Sequence, residues 1–478
     1  MNKLFKPFFL TVLSLILSLW TTVFPALPVS LGQYSSTTQP EILTLDLESL
    51  EIEPKTTIQV SVGYGVSNIS LISGSTGSIL VDAADSPTSA QRVIPQFKAN
   101  WATTHSEPLP PLQAIIYTHS HPDHTGGAQV FVEQFNSPSD PALTIYARAN
   151  FAKTLDRAET LEPIADLRRD WEHAFGLGAE QRAVYFGDAV PPPRDIGAGT
   201  VAPMQTFGGD RLALTIGGVD LELVAATGES ADELFVWLPQ ERVLFCGDNY
   251  YAAFPNLAAI RGTPYRDVAQ WVQSLDGMLA RQPIYLVPGH SAPLAGGADI
   301  QTVLGNYRGA IEFVLTETLA GMNRGLTPDE LVEKVRLPSD LADLPYLQPV
   351  YGNVPWSVRS IFSGYLGWFD GNPTHLNDLS PLSHAQHLAQ LAGGIPALWS
   401  QTEVALAAAD YQWVLELTDA LLRLLGQGPI GGLDQTAVKT ARITALEALA
   451  AVEVNTNAAN YYRSAAQALK DSDLEFDP

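Results

Sequence analysis

Residues 118–124 (THSHPDH) carry the pattern from which the fold of this chain can be inferred. They follow directly on the apolar run 114–118, which predicts a strand buried on both of its faces. Three histidines (His119, His121 and His124) and Asp123 then stand within six positions at the end of that strand. Imidazole and carboxylate groups are the ligands that Zn²⁺ and similar ions take. A chance cluster of polar residues in a loop is the alternative, and we favour a metal site.

Two further polar residues stand at the ends of predicted strands. Asp248 follows the apolar run 243–246 and a glycine, and His290 follows the run 285–287, a proline and a glycine. Each alone would more often be a turn or cap residue, but α/β sites gather at strand ends, so beside the histidine cluster we expect both to bind metal. Cys246 is predicted to be a small core residue. The remaining histidines are predicted to be surface or packing residues: His105, His173, His375, His384 and His387.

Composition limits the classes of function. The 478 residues are 46% hydrophobic and 16% charged, which is enough for two or three domains with sizeable cores. Acidic residues number 51 against 27 basic ones, and the net charge of −24 argues against a nucleic-acid-binding surface. An anionic substrate would need a local positive site, such as a metal. A single cysteine excludes an intramolecular disulfide and a Cys₄ zinc site.

The N-terminus has the order of a secretory signal. Lys3 and Lys6 precede the uncharged apolar run 8–24, and small residues follow at 30–32. We therefore expect a signal peptide over 1–32 and a periplasmic or secreted protein. An uncleaved membrane anchor is the alternative, because the run is near the short limit for a membrane span. Residues 33–56 are polar and are predicted to form a tether.

The rest of the chain divides into a mixed and a helical part. Residues 57–299 are predicted to form one layered α/β domain, with a helix opening at Ser86-Pro87 and another over 267–280. Strands are expected at 57–62, 68–72, 78–81, 114–118, 144–147, 221–226, 234–238, 243–246 and 285–287. Residues 300–478 are predicted to be helical, with helices at 302–320, 328–335, 357–365, 384–391, 401–409, 411–425, 436–451 and 458–469.

The order HxHxDH, Gly-Asp and Gly-His resembles the metallo-β-lactamase superfamily, an αββα sandwich with a two-metal site. Most of that superfamily has a further histidine before the Gly-Asp, but no histidine lies between His173 and His290 here. The chain is more similar to the alkyl sulfatases of the superfamily, which have an E-x-x-x-E segment instead, here residues 229–233. Other matching segments are Asn256-Leu257 with Arg261-Gly262, 323–327 (NRGLT) and 365–373 (YLGWFDGNP).

The resemblance implies a metal site with two Zn²⁺ per chain. His119, His121 and Glu229 would hold one ion, Asp123, His124 and His290 the other, and Asp248 would bridge them. Asp123 and Glu233 are the predicted catalytic residues, and Asn256 and Arg261 the predicted substrate-binding residues. The helical part is expected to form a homodimer and to roof the active site. The sterol-carrier-like third domain of these sulfatases is expected to be absent, because the chain ends at Pro478.

Departures from the alkyl sulfatase pattern concern the substrate. Asp248 stands where those enzymes have a glutamate, Pro255 stands where they have a histidine, and 291–295 (SAPLA) replaces an aromatic and arginine-rich stretch. The leading prediction is hydrolysis of an alkyl sulfate ester. The alternatives are a lactone, phosphoester or thioester hydrolase, or an exported binding protein without activity. The guanidinium of Arg261 is expected to hold the anion, although it could instead pair with Asp267 or another acid and only hold its loop.

Overall fold

The structure is a computed structural model, and it describes residues 40–47, 56–154, 164–174, 195–428 and 433–471. The predicted signal peptide at 1–32 lies outside the described residues, as does most of the predicted tether. Among the described helices, none has the length and apolar character needed to span a membrane.

The first sheet contains seven strands in chain order, which makes it the N-terminal half of the mixed domain. The first four pair antiparallel and the last four pair parallel. The strands are β1 (Glu41–Thr44), β2 (Thr57–Val62), β3 (Ile69–Ser73), β4 (Ser78–Val81), β5 (Leu112–Ile116), β6 (Thr144–Arg148) and β7 (Gln205–Phe207).

Strand β1 lies within the segment predicted to be a tether. It pairs with β2, with Glu41 opposite Val62 and Thr44 opposite Gln59. The sequence of residues 41–47 (EILTLDL) explains this pairing, because apolar residues there are interspersed with polar ones. Leu47 is buried in the core between the sheets. This part of the segment is therefore an edge strand of the sheet.

The second sheet has six strands in the order β13-β12-β11-β10-β9-β8. All neighbours pair antiparallel except β11 and β12, which are parallel. The strands are β8 (Arg211–Ile216), β9 (Val219–Ala225), β10 (Leu234–Leu238), β11 (Val243–Gly247), β12 (Tyr285–Pro288) and β13 (Leu294–Ala295).

The two sheets pack face to face with helices outside both, which confirms the predicted αββα sandwich. One core lies between the sheets, with residues of β2 to β5 against residues of β9 to β12. The helices of this part are α1 (Pro87–Thr104), α2 (Pro122–Thr125), α3 (Ala128–Gln134), α4 (Ile164–Glu172) and α5 (Val268–Ala280). Helices α1 and α3 cover the first sheet and α5 covers the second. As predicted, Ser86 caps α1 and its hydroxyl accepts the Ser89 N–H.

After β13 the described residues form helices without further strands, as predicted. These are α6 (Gly297–Asn323), α7 (Pro328–Lys334), α8 (Ser339–Ala342), α9 (Val354–Leu366), α10 (Pro381–Ala392), α11 (Ile395–Ala407), α12 (Tyr411–Leu425), α13 (Gln435–Val452) and α14 (Thr456–Asp471). The predicted boundary at 299/300 falls inside α6. The core of the second sheet and α5 continues through α6, α7 and α9, whereas α10 to α14 share a separate core.

Candidate metal centre

Strand ends gather the predicted ligands at one edge of the sandwich. The histidine cluster follows β5 after two residues, Asp248 follows β11 directly, and His290 follows β12 after one glycine. The Leu234 N–H donates to the Thr118 carbonyl at 2.9 Å, which ties the second sheet to the first at this edge. The short helix α2 begins immediately after His121, so the chain turns there and presents Asp123 and His124 to a different point.

Four of the predicted ligands form a first group: Asp123, His124, Asp248 and His290. Their candidate ligand atoms all lie within 4.8 Å of one another. Nε2 of His124 lies 3.3 Å from an oxygen of Asp123 and 3.3 Å from an oxygen of Asp248. Nε2 of His290 lies at the same distance from an oxygen of each of these aspartates. Two imidazoles and two carboxylates converging in this way match the ligands of a Zn²⁺-like ion.

His119, His121 and Asp248 form a second group by the same measure. Nε2 of His119 lies 2.8 Å from Nδ1 of His121 and 3.7 Å from Oδ2 of Asp248. Asp248 thus belongs to both groups and could bridge two ions. Glu229 does not belong to either group.

The outer nitrogens of the histidines are fixed, which turns the inner ones toward the ligand groups. Nδ1 of His124 lies 2.8 Å from an oxygen of Asp82, and Nδ1 of His290 donates to the Val66 carbonyl at 2.9 Å. Such contacts orient metal-bound imidazoles. Nε2 of His124 and Oδ1 of Asp248 are buried and lie 3.3 Å apart, but neither makes a hydrogen bond with any described residue, which is rare unless another group completes them. The residues therefore fit a metal.

The pKa values of the four histidines shift in two opposite directions. Burial lowers the pKa of His119 to about 3 and that of His121 well below its usual value, so both are neutral, the form that binds metal. Burial opposes charge on His124 and His290 as well, but the neighbouring aspartates outweigh it. They raise the pKa of His290 to about 10 and that of His124 well above its usual value. Carboxylate charge in the first group is thus strong enough to hold cations.

Glu229 and Glu233 have different partners. Oε1 of Glu229 accepts from Arg266 at 2.9 Å, while its Oε2 is buried without a hydrogen bond. Oε1 of Glu233 accepts the backbone N–H of Asp248 at 2.7 Å. Burial, with Asp248 and Glu229 nearby, raises the pKa of Glu233 well above its usual value. Glu233 therefore holds the backbone of the shared aspartate, and Glu229 retains one oxygen for a ligand.

The predicted substrate-binding residues lie on the loop between β11 and α5. Both polar atoms of the Asn256 side chain are buried and form no hydrogen bond with the described residues, as expected of a group that meets a ligand. Nη1 of Arg261 donates to Oε2 of Glu172 at 3.0 Å. Asp267, the acid suggested by the sequence as its partner, instead caps α5 by accepting the Gln270 N–H.

Several residues of the site were not singled out in the sequence. Asp82 directly follows β4, so the rule that found Asp248 and His290 would also have found it. Arg266 donates to both Glu229 and the Asn256 carbonyl, and Glu172 binds Arg261. No local sequence pattern marks Arg266 or Glu172, because the residues that they contact are distant in sequence or lie in a loop. Tyr251 links the loop to the site, since its hydroxyl accepts the Asn256 N–H at 2.7 Å.

The residues predicted to be unrelated to the metal lie elsewhere or in the packing. Cys246 is fully buried in the core, as predicted. His105 stacks on Trp101, His375, His384 and His387 are exposed, and His173 is buried beside Glu172.

Comparison with known proteins adds the family. Residues 62–290 match the model of the metallo-β-lactamase superfamily, and residues 327–472 match the model described as alkyl sulfatase dimerisation. A linear primary-alkylsulfatase of Pseudomonas sp. is 32% identical over 403 residues, which cover 84% of this chain and 73% of that protein. An alkyl/aryl-sulfatase of Saccharomyces cerevisiae is 27% identical over 75% of this chain, which spans 55% of the yeast protein.

A solved structure supports the same fold. The stereoselective inverting sec-alkylsulfatase Pisa1 from Pseudomonas sp. superposes with a TM-score of 0.73 and 24% identity, covering 87% of this chain and 64% of that one. The similarity extends through the sandwich into the helical part. Together with the match to the Pseudomonas primary-alkylsulfatase, this places the chain in the alkylsulfatase family of the metallo-β-lactamase superfamily, a family of metal-dependent hydrolases.

Proposed function

We propose that this protein uses two Zn²⁺ ions to hydrolyse alkyl sulfate esters to an alcohol and sulfate. The observation that carries the proposal is the pair of ligand groups that share Asp248, next to a loop with Asn256 and Arg261. The names of the relatives from Pseudomonas sp. and yeast support a sulfate ester as substrate.

The residues divide the work as follows. His119, His121 and Asp248 would hold one ion, and Asp123, His124, Asp248 and His290 would hold the other. Glu229 lies outside both groups, but its buried Oε2 would add a ligand to the first ion. When bound, such a pair of ions polarises the ester and lowers the pKa of a coordinated water. Asp123 keeps its carboxylate 3.3 Å from both His124 and His290, which orients all three side chains. Glu233 fixes the backbone of Asp248 and so acts through it.

The loop after β11 supplies the anion site. A sulfate ester has one negative charge, and the hydrolysis moves further charge onto its oxygens, so donors must be fixed where that charge develops. Arg261 can donate two parallel hydrogen bonds and Asn256 adds a neutral donor. The same loop, through Tyr265 and its neighbours, lines a mostly apolar surface pocket of about 330 Å³ together with Trp356 of α9. The apolar chain of an alkyl substrate would fit this pocket.

Product analysis with the purified full chain tests the function. We expect near two equivalents of zinc by elemental analysis and release of inorganic sulfate from alkyl sulfates. Lactones, phosphodiesters and thioesters, screened at equal concentration, should be much poorer substrates. Turnover of one of those classes without sulfate release would replace the proposed substrate, and metal binding with no turnover of any ester would favour a binding protein.

Dimerisation and export belong to the same proposal. The match of residues 327–472 to the dimerisation model and exposed apolar side chains on that part, such as Trp368 and Leu391, support a homodimer through the helices. Light scattering at micromolar concentration should give twice the mass of the chain, and a monomer would contradict this. The proposed signal peptide at 1–32 predicts a mature N-terminus near residue 33 and recovery from the periplasm or medium. An uncleaved protein in the membrane fraction would indicate an anchor.

A further inference from the structure

We propose that Glu172 is a positioning residue for the anion site: its carboxylate orients Arg261, and helix α14 of the helical part holds Glu172 in place. This rests on the proposed function, in which Arg261 binds the anion of the substrate. It assigns the last described helix a part in substrate recognition.

The contact between Glu172 and Arg261 is buried. Nη1 of Arg261 donates to Oε2 of Glu172 at 3.0 Å, and the side chains are 13% and 0% exposed. Removing two charges from water is costly, so a buried pair of this kind is poor evidence for stability and better explained by geometry. The contact at Nη1 also limits the orientations that the guanidinium can take. The other N–H groups of Arg261 then point in a set direction.

Among the described residues, none competes with Arg261 for a hydrogen bond to the Glu172 carboxylate. Its Oε1 is buried without a hydrogen-bond partner, and Nε2 of His173 lies 3.9 Å from Oε2. Although burial opposes the charged form, Arg261 and His173 keep the pKa of Glu172 below its usual value. The carboxylate is therefore ionised and directed at Arg261.

Helix α14 fixes the end of α4, where Glu172 lies. The Asn460 amide donates to the Glu172 carbonyl at 3.1 Å, and the Ser464 hydroxyl donates to the Trp171 carbonyl at 3.4 Å. The rings of Trp171 and Tyr461 meet edge to face at 5.3 Å. Ser464 lies four positions after Asn460 and three after Tyr461, so the three residues lie on the same side of the helix.

The positive charge of Arg261 acts on the ligand edge. Together with burial and His119, which have larger effects, it lowers the pKa of His121. A chain of contacts thus runs from α14 through the end of α4 to Arg261 and the ligand edge. Because the charge of Arg261 is balanced by Glu172, the arginine offers the substrate directed N–H donors more than net charge.

The test uses the zinc-loaded full chain and the variant Glu172→Gln, which keeps the shape of the side chain and removes its charge. The matched control is Asp166→Asn, on the same helix, because Asp166 is half exposed and pairs with Arg169 at 2.8 Å. We expect Glu172→Gln to raise the KM for an alkyl sulfate and the Kd for inorganic sulfate by about tenfold or more, with a smaller change in kcat and an unchanged zinc content. Asp166→Asn should stay within about twofold of wild type.

A double-mutant cycle separates positioning from a general structural role. If Glu172 acts through Arg261, then Glu172→Gln should add less than about twofold in the Arg261→Lys background. Asn460→Ala should raise the Kd for sulfate by about threefold without changing the zinc content. Should Glu172→Gln fail to fold, Glu172→Asp and Asn460→Ala carry the same measurement.

Three results would overturn the proposal: wild-type sulfate affinity in the folded Glu172 variant, an equal loss in both backgrounds, or loss of zinc. Failure of the proposed function is distinguishable from these. In that case the wild-type protein itself would neither bind sulfate nor release it from esters. Wild-type binding with an unaffected Glu172 variant would refute the positioning role alone.

Discussion

A methyl group at Gly289 should disrupt both metal groups at once. The Cβ of an alanine would lie 2.4 Å from Oδ1 of Asp248 and 2.7 Å from Cε1 of His124. The backbone cannot easily retreat, because the Gly289 N–H donates to the Gly247 carbonyl at 2.7 Å and its own carbonyl accepts the Asn68 N–H at 2.7 Å. A glycine is therefore required before His290, because Asp248 and His124 lie too close to its Cα for a side chain.

The size of the effect follows from those distances. The new methyl group would be about 1 Å short of an ordinary van der Waals contact with the aspartate oxygen, so Asp248 and His124 must move by a similar amount. Overpacking of this kind costs about 1–3 kcal/mol of unfolding free energy. Misplacing reacting groups by about 1 Å lowers the rate by about 100-fold. Gly289→Ala should therefore lower kcat/KM by about 100-fold or more.

Zinc content, kcat/KM and denaturant unfolding are measured together on Gly289→Ala and on a control, Gly305→Ala. Gly305 lies within helix α6, and a Cβ there would meet no atom within 4 Å. The control should keep full activity and gain up to about 1 kcal/mol, because alanine favours helix more than glycine does. Wild-type zinc content and turnover in Gly289→Ala would refute the reasoning about the shared aspartate.

Three further predictions concern the surroundings of the metal groups. Glu229→Ala should lose about one equivalent of zinc and nearly all activity, whereas Glu233→Gln should keep most of its zinc; elemental analysis showing the reverse would exchange their roles. Asp82→Asn should weaken zinc binding by about 10–100-fold, measured by competition with a chelator, because Asp82 holds the outer nitrogen of His124. Burial, against the opposing effect of Glu172, lowers the pKa of His173 from 6.5 to about 4, so the unfolded state binds more protons between these values and unfolding free energy should fall as the pH drops from about 6.5 to 4. His173→Gln should reduce that fall in denaturant titrations, and an unchanged pH profile would contradict it.

The sandwich and the ligand edge could be predicted from sequence because both depend on local patterns. Short runs rich in apolar and β-branched residues located β2, β4 and β10 to the residue, and a polar residue after such a run marked Asp248 and His290. Most helices after residue 297 were predicted, but the short helix α8 was not. Strands β1, β7, β8 and β13 were also missed. Strands β1, β7 and β13 have only four, three and two residues, which carry too little pattern to separate them from a polar segment.

The contacts that complete the site depend on pairs that the sequence does not connect. Glu172 and Arg261 stand 89 positions apart, and Asn460 bonds to a carbonyl 288 positions away. Asp267 is closer to Arg261 in sequence, but it is committed to the first turn of α5. Packing between helices determines which acidic residue pairs with an arginine, and this packing cannot be inferred from a single sequence.

The charges around the anion loop suggest how this strongly acidic chain could recognise an anion. The two arginines of this loop are each paired with a glutamate, Arg261 with Glu172 and Arg266 with Glu229. These pairs nearly cancel, and the chain as a whole carries a net charge of −24, so no long-range attraction for an anion comes from the protein. What remains is the direction of the N–H donors, the buried amide of Asn256 and, in the proposed function, the charge of the bound ions. Binding then depends on the fit of the substrate oxygens to fixed donors, which favours one shape of anion over anions in general.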